Sequence, residues 1–209
     1  KIAEDAPPVL QEIFDVLNST SNKNLIESWH DAVHLKDEAQ NLFLLGLISL
    51  NDRAMVERIY WGICRKIEKL GSRLKFLPDE IRNLKTKLAD KYFCNFSVFQ
   101  SVPDSWAIDQ VFPVVPLHRL NEEPSRDATL EDITCDSDGR IDTFIGSHRG
   151  TDSTLRVHPL QPGEPYSLCI FLTGAYQEIL GDLHNLFGDT NTVHVSLNED
   201  GSINYEQII

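Results

Sequence analysis

The hydrophobic pattern changes near residue 92, and this change limits the folds open to the chain. Before it, apolar residues recur every three or four positions over four segments, as in amphipathic helices. After it, prolines and β-branched residues increase and the apolar period shortens toward two, as in strands. We therefore predict an α+β fold. An antiparallel helical bundle occupies residues 1–92, and a mainly antiparallel, barrel- or sandwich-like β-domain with one or two helices occupies residues 93–209.

Turn and capping residues divide the first part into helices. Pro7-Pro8 opens a helix that ends near Asn18, and Asn51-Asp52 is a turn and N-cap before a third helix that ends at Gly71. Pro78 begins a fourth helix. The third helix has a predicted apolar stripe of Met55, Ile59, Ile63, Ile67 and Leu70. The end of the long second helix, over residues 42–50, is apolar on more than one side, so we expect another chain or domain to bury it.

The second part predicts short strands. We predict strands at residues 93–99, 128–134 and 140–145, a buried strand at 166–173, and a hairpin of residues 192–197 and 202–206. Residues 111–117 are predicted to be an edge strand or an extended loop, because of Pro113 and Pro116. A helix is predicted at residues 175–185.

The net charge of −13 lies entirely in the second part. Residues 1–91 carry 14 basic and 14 acidic side chains, whereas residues 92–209 carry 5 and 18 and include no lysine. An acidic surface repels nucleic acids and anionic membranes and attracts cations. No apolar run approaches the ~20 residues of a membrane span. Four widely spaced cysteines predict reduced thiols in the cytoplasm.

Two local motifs could carry chemistry. Cys135 stands at a predicted strand end before Asp136 and Asp138, whose negative charge would raise the thiol pKa and favour a thiol that donates a proton. Tyr176 follows Gly174 at the start of a predicted helix, where its hydroxyl could donate to a phosphate. The residues alone leave open that Cys135 is a small buried side chain and that Tyr176 is a core aromatic. The scattered histidines predict no zinc site, and we predict no metal ligands.

Three segments resemble the biosynthetic arginine decarboxylases. They are FSVFQSVPDSWAIDQ at residues 96–110 with Phe112-Pro113-Val114, DITCDSDG at residues 132–139, and GAYQEILGDLHNLFG at residues 174–188. The resemblance is close over residues 88–195 and looser over residues 1–87. It implies an enzyme that depends on pyridoxal phosphate and converts arginine to agmatine and CO2 for polyamine synthesis. A Mg²⁺ cofactor is suggested by this resemblance alone.

The resemblance also implies a role for each site residue. Cys135 resembles the cysteine that returns a proton to the substrate, Asp136 the carboxylate at the far end of the substrate, and Tyr176 the tyrosine at the cofactor phosphate. Asp138 assists in substrate binding. The family's barrel, which carries the lysine that binds the cofactor, takes ~250 residues and cannot fit in this chain.

The implied partners are therefore the protein's own barrel domain and a second subunit of a homo-oligomer, and the fragment alone should be inactive. Two alternatives remain: another basic-amino-acid decarboxylase of the same fold, and a non-catalytic regulatory paralogue.

Overall fold

A computed structural model describes residue 3 and residues 5–71, 79–134, 139–146, 150–181 and 189–208. The chain divides into two compact units, Lys1–Leu88 and Ala89–Ile209. The described part of the first unit contains helices, and the second contains short strands and short helices, so the α+β prediction is confirmed. None of the helices in the described ranges has the length and apolar character that crossing a membrane requires.

The described part of the first unit contains three long helices and two short ones: α1 (Pro8–Ser19), α2 (Leu25–Leu44), α3 (Leu50–Gly71), α4 (Asp79–Arg82) and α5 (Leu84–Leu88). The predicted fourth helix is thus broken near Asn83. A reciprocal pair of hydrogen bonds begins α3: the Ser49 N–H donates to the Asp52 carboxylate (3.0 Å), and the Asp52 N–H donates to the Ser49 hydroxyl (3.1 Å). The N-cap is therefore Ser49, two residues before the predicted one.

The core of this unit takes one face from each helix. Its most buried large side chains are Ile13, Val56, Ile63, Ile67 and Leu84. The buried face of α3 differs from the predicted apolar stripe. Tyr60 and Cys64 are buried, whereas Met55 of the predicted stripe is 41% exposed. The apolar region at residues 42–50 is not covered within the described chain, where Leu44, Leu45, Leu47 and Leu50 are all exposed.

The second unit has ten short strands and three short helices among its described residues. The strands are β1 (Asp90–Phe93), β2 (Val114–Pro116), β3 (Arg126–Glu131), β4 (Arg140–Ile141), β5 (Phe144–Ile145), β6 (Thr151–Asp152), β7 (Leu155–Val157), β8 (Leu168–Ile170), β9 (Thr192–Leu197) and β10 (Ile203–Ile208). The helices are α6 (Val98–Ser101), α7 (Pro103–Ala107) and α8 (Ala175–Leu180).

Strand β3 is the centre of the largest sheet. It pairs in parallel with β1 and antiparallel with β4 and β7. The other pairs, β2 with β8, β5 with β6 and β9 with β10, are antiparallel. The described strands form no closed barrel. The sheets are therefore mainly antiparallel, as predicted, and among the described residues β2 has the single partner expected of an edge strand.

Three strand predictions need correction. The predicted strand at residues 93–99 is wrong, because β1 ends at Phe93 and the chain enters α6 at Val98. The predicted strand at residues 140–145 is divided into β4 and β5. The predicted buried strand at residues 166–173 shrinks to β8, which is half-buried. The hairpin of β9 and β10 is confirmed, with Leu197 opposite Ile203.

Replacing a fully buried side chain of the bundle should cost far more stability than replacing an exposed one. Ile63 has no exposed surface, so we expect Ile63→Ala to lower the free energy of unfolding by about 2–5 kcal/mol. Leu44 is 70% exposed at the end of α2, and Leu44→Ala should change it by about 0.5 kcal/mol or less. Urea unfolding followed by circular dichroism measures both; equal losses would contradict this core.

Candidate functional site

The predicted site residues fall on two segments of the second unit. Cys135, Asp136 and Asp138 lie outside the described residues, whereas the flanking residues Thr134 and Gly139 are described. Tyr176 lies in the first turn of α8. The structure therefore shows the contacts made by the described residues of both segments.

The residues on either side of positions 135–138 are held by strand pairing and by one buried carboxylate. The last pair of the β3–β4 ladder is Glu131 with Arg140, and the next N–H, that of Asp132, donates to the Gly139 carbonyl oxygen (2.9 Å). Asp132 is 6% exposed. Its carboxylate accepts hydrogen bonds from the Thr134 hydroxyl and the Val98 N–H, each 3.1 Å long. One side chain thus connects Thr134 to the start of α6.

Gly139 is required by this carboxylate. A Cβ atom at residue 139 would overlap the Asp132 side chain, so any other residue would displace the carboxylate that caps α6. Glycine at residue 139 therefore makes room for the Asp132 side chain.

Tyr176 and its neighbour Gln177 have opposite environments. Tyr176 is 74% exposed, so the interpretation of this residue as a core aromatic is wrong. Gln177 is 5% exposed. None of the described residues lies within 4 Å of the position that a Cβ atom of Gly174 would take, so these residues leave the space beside the start of α8 open.

The buried Gln177 amide connects α8 to α7. Its Nε2 donates to the Asp104 carboxylate (2.6 Å), and its Oε1 accepts from the Asp104 N–H (3.1 Å). Next to this pair, the Gln100 side chain donates to the Asp189 carboxylate (2.5 Å). Helix α8 is therefore fastened to the segment that contains α6 and α7.

Both predicted segments thus attach to one short stretch of chain, residues 98–107. Val98 and Val102, each 1% exposed, anchor this stretch in the core of the unit. Asp132 caps the start of α6, and Gln177 caps the start of α7. Sequence reasoning assigned no role to Asp104, Asp132 or Gln177 individually, because each acts through a partner 34 or 73 residues away.

The described histidines and thiols add no second site. His158 is buried, with Nδ1 at 2.8 Å from the Tyr166 hydroxyl and Nε2 at 3.0 Å from the Glu122 carbonyl. Burial raises the pKa of the Cys94 thiol to about 11 and also raises that of Cys64. These thiols are therefore neutral near pH 7. Within the ranges that the structure describes, no three His, Cys, Asp or Glu side chains are grouped to hold a metal ion.

Loss of the Asp132 carboxylate should destabilise the second unit. The Val98 N–H and the Thr134 hydroxyl donate to different oxygens of Asp132, and Asp132→Asn keeps only one of these acceptors. The variant can no longer accept from both donors, so we expect a loss of about 1–3 kcal/mol. Asp142→Asn is the matched control, because its ion pair with Arg140 (2.9 Å) is partly exposed and contributes about 1 kcal/mol at most. Chemical denaturation of both variants gives the comparison; a loss for Asp132→Asn no larger than the control's would show that this cap is dispensable.

Comparison with known proteins tests the resemblance directly. Residues 3–85 match the family model described as the arginine decarboxylase helical bundle domain. The chain is 56% identical over its whole length to a biosynthetic arginine decarboxylase of Bacteroides thetaiotaomicron, of which it covers 33%. A biosynthetic arginine decarboxylase of Phocaeicola vulgatus is 51% identical over 96% of this chain and 32% of the relative.

A solved structure gives the same result. The crystal structure of the biosynthetic arginine decarboxylase from Campylobacter jejuni matches 100% of this chain and 32% of its own, with 36% identity and a TM-score of 0.70. The chain therefore spans about a third of the length of the relatives that it matches. The resemblance is confirmed: the whole chain is similar to biosynthetic arginine decarboxylases, and residues 3–85 match the helical bundle domain of that family.

Proposed function

We propose that the chain is the C-terminal part of a cytoplasmic arginine decarboxylase that uses pyridoxal phosphate to convert L-arginine to agmatine and CO2 for polyamine synthesis. The observation that carries this proposal is the 56% identity over the entire chain to a relative with that decarboxylase name. The identity extends over the segment with Cys135, Asp136 and Asp138 as well as over the bundle.

The described surroundings of Tyr176 fit a role in holding the cofactor. The side chain is exposed and the neighbouring space beside Gly174 is open, so a phosphate group could approach the phenol hydroxyl. In this role the Tyr176 hydroxyl donates a hydrogen bond to a phosphate oxygen. We assign no residue of the chain to Mg²⁺.

The acidic residues Asp136 and Asp138 suit a cationic substrate. A guanidinium group presents several N–H donors in a plane, and a carboxylate can accept two of them side by side. Asp136 would bind the guanidinium of arginine in this way, and Asp138 would add a second negative charge. A hydrogen bond to a charged group contributes about 1.5–3 kcal/mol when it is well formed.

The proton donor of the reaction would be the Cys135 thiol. Pyridoxal phosphate, when bound, serves as the electron sink for the pair left on Cα as the bond to the carboxylate breaks and CO2 leaves. The Sγ–H of Cys135 then supplies the proton that forms the new Cα–H bond, leaving a thiolate that must be reprotonated before the next turnover. Adjacent negative charge keeps such a thiol protonated.

The chain would supply only part of the active site. The cofactor-binding lysine belongs to the barrel, which takes ~250 residues and lies outside this chain. We propose that the barrel of one subunit and the β-domain of a second subunit complete each site, so that the 209-residue chain has no activity alone.

Replacement of Cys135 in the full-length protein tests the assignment. General acid catalysis contributes about 10²–10⁴-fold, so Cys135→Ala should lower kcat by at least about 100-fold and misdirect protonation while cofactor absorbance stays at the wild-type level. Cys169→Ala, which alters a half-buried thiol outside the motif, is the matched control. Rates and products measured by mass spectrometry that equal those of the control would refute the role of Cys135.

A further inference from the structure

We propose that Gln177 and Asp104 are positioning residues that orient Tyr176 toward the cofactor phosphate, an inference that rests on the proposed function. The two side chains form a closed pair: the Gln177 amide donates to the Asp104 carboxylate and accepts from the Asp104 N–H. Since Gln177 follows Tyr176 directly in α8, a fixed Gln177 also fixes the direction of Tyr176.

Helix α8 needs such a tertiary contact because it is short. It has 6 residues, Ala175–Leu180, which is less than two turns. A helix this short is not stable by itself in water. Packing of apolar side chains does not replace the contact at its described positions, since Ile179 is 76% exposed and Leu180 is 58% exposed. The buried amide of Gln177 is therefore the main described attachment of the helix side chains.

The partner of Gln177 is itself held in place. Pro103 fixes the backbone dihedral at the start of α7, and Val102 just before it is 1% exposed. The Asp104 carbonyl oxygen accepts from the Ile108 N–H (3.1 Å) and the Gln110 N–H (3.0 Å). The backbone and the carboxylate of Asp104 therefore form a rigid frame against which α8 is set.

The pair can be tested by exchanging the hydrogen-bond donor and acceptor between the side chains of Gln177 and Asp104. In Gln177→Glu the donor Nε2 becomes an oxygen that faces the Asp104 carboxylate, so two acceptors repel each other. Asp104→Asn alone is mild, because its side-chain oxygen still accepts from Gln177. In the double variant the new amide at residue 104 can donate to the new carboxylate at residue 177, while the backbone N–H at residue 104 keeps its acceptor. The reversed pair should thus restore the contact.

The experiment measures the equilibrium Kd of pyridoxal phosphate for the full-length apoprotein by fluorescence titration, alongside the Tm of each variant. Because one hydrogen bond to a charged group is worth about tenfold or more, we expect Tyr176→Phe and Gln177→Glu each to raise Kd about tenfold. Asp104→Asn and the double variant should remain within about threefold of wild type. In the Tyr176→Phe background, Gln177→Glu should change Kd by less than about twofold, because both act through the same hydroxyl.

Several results would overturn the proposal. If Gln177→Glu still raises Kd tenfold in the Tyr176→Phe background, residue 177 does not act through the Tyr176 hydroxyl. If the double variant of residues 104 and 177 binds the cofactor as weakly as Gln177→Glu, loss of the hydrogen-bonded pair is not the reason for the higher Kd. An unchanged Kd for Tyr176→Phe would remove the contact that the pair is said to orient.

If Gln177→Glu fails to fold, Gln177→Met, which removes both polar contacts at similar volume, takes its place with the same expectations for the single variant and for the Tyr176→Phe background. The Cys135 experiment tests the reaction separately, so failure of the proposed function and failure of this inference are distinguishable.

Discussion

Two side-chain hydrogen bonds to backbone N–H groups organise the second unit. The Asp132 carboxylate accepts from Val98 at the start of α6, and the Gln177 amide oxygen accepts from Asp104 at the start of α7. A helix start leaves N–H groups without partners inside the helix, and a buried one must find them elsewhere in the fold. Here the partners come from Asp132, three residues before Cys135, and from the helix that contains Tyr176. The requirement to satisfy a few backbone donors therefore brings the two predicted functional segments to the same stretch of chain.

The two units divide structure and chemistry between them. The helical unit is balanced in charge, has an extensive apolar core and contains none of the proposed site residues. The second unit has the whole net charge of −13, short strands and several exposed apolar side chains. Residues 92–209 of this unit, which contain no lysine, suit the proposed cationic substrate and a cofactor whose lysine is supplied from elsewhere. Both features agree with the proposal that this chain is one contributor to a composite site.

Periodicity and capping predicted the long helices, because each depends on residues close together in the sequence. Pro7-Pro8 and Gly71 marked helix ends correctly to within one or two residues. The strand prediction at residues 93–99 failed because the apolar run of Phe96 and Val98 is buried in a turn and a helix, which Asp132 stabilises from 34 residues away. Such a partner leaves no local signal. The roles of Cys135, Asp136, Asp138 and Tyr176 came from the family resemblance, and of these only Tyr176 lies among the described residues.

A complementation test measures most directly whether this chain supplies part of a shared site. We expect full-length Cys135→Ala to be at least about 100-fold slower than wild type and a full-length variant without the cofactor-binding lysine to be inactive. Hybrids of the two variants are purified through different tags. If each site combines the lysine of one subunit with Cys135 of the other, one of the two sites in a hybrid dimer is intact, and about half of the wild-type activity should return. Hybrids no more active than their parents would contradict the shared site.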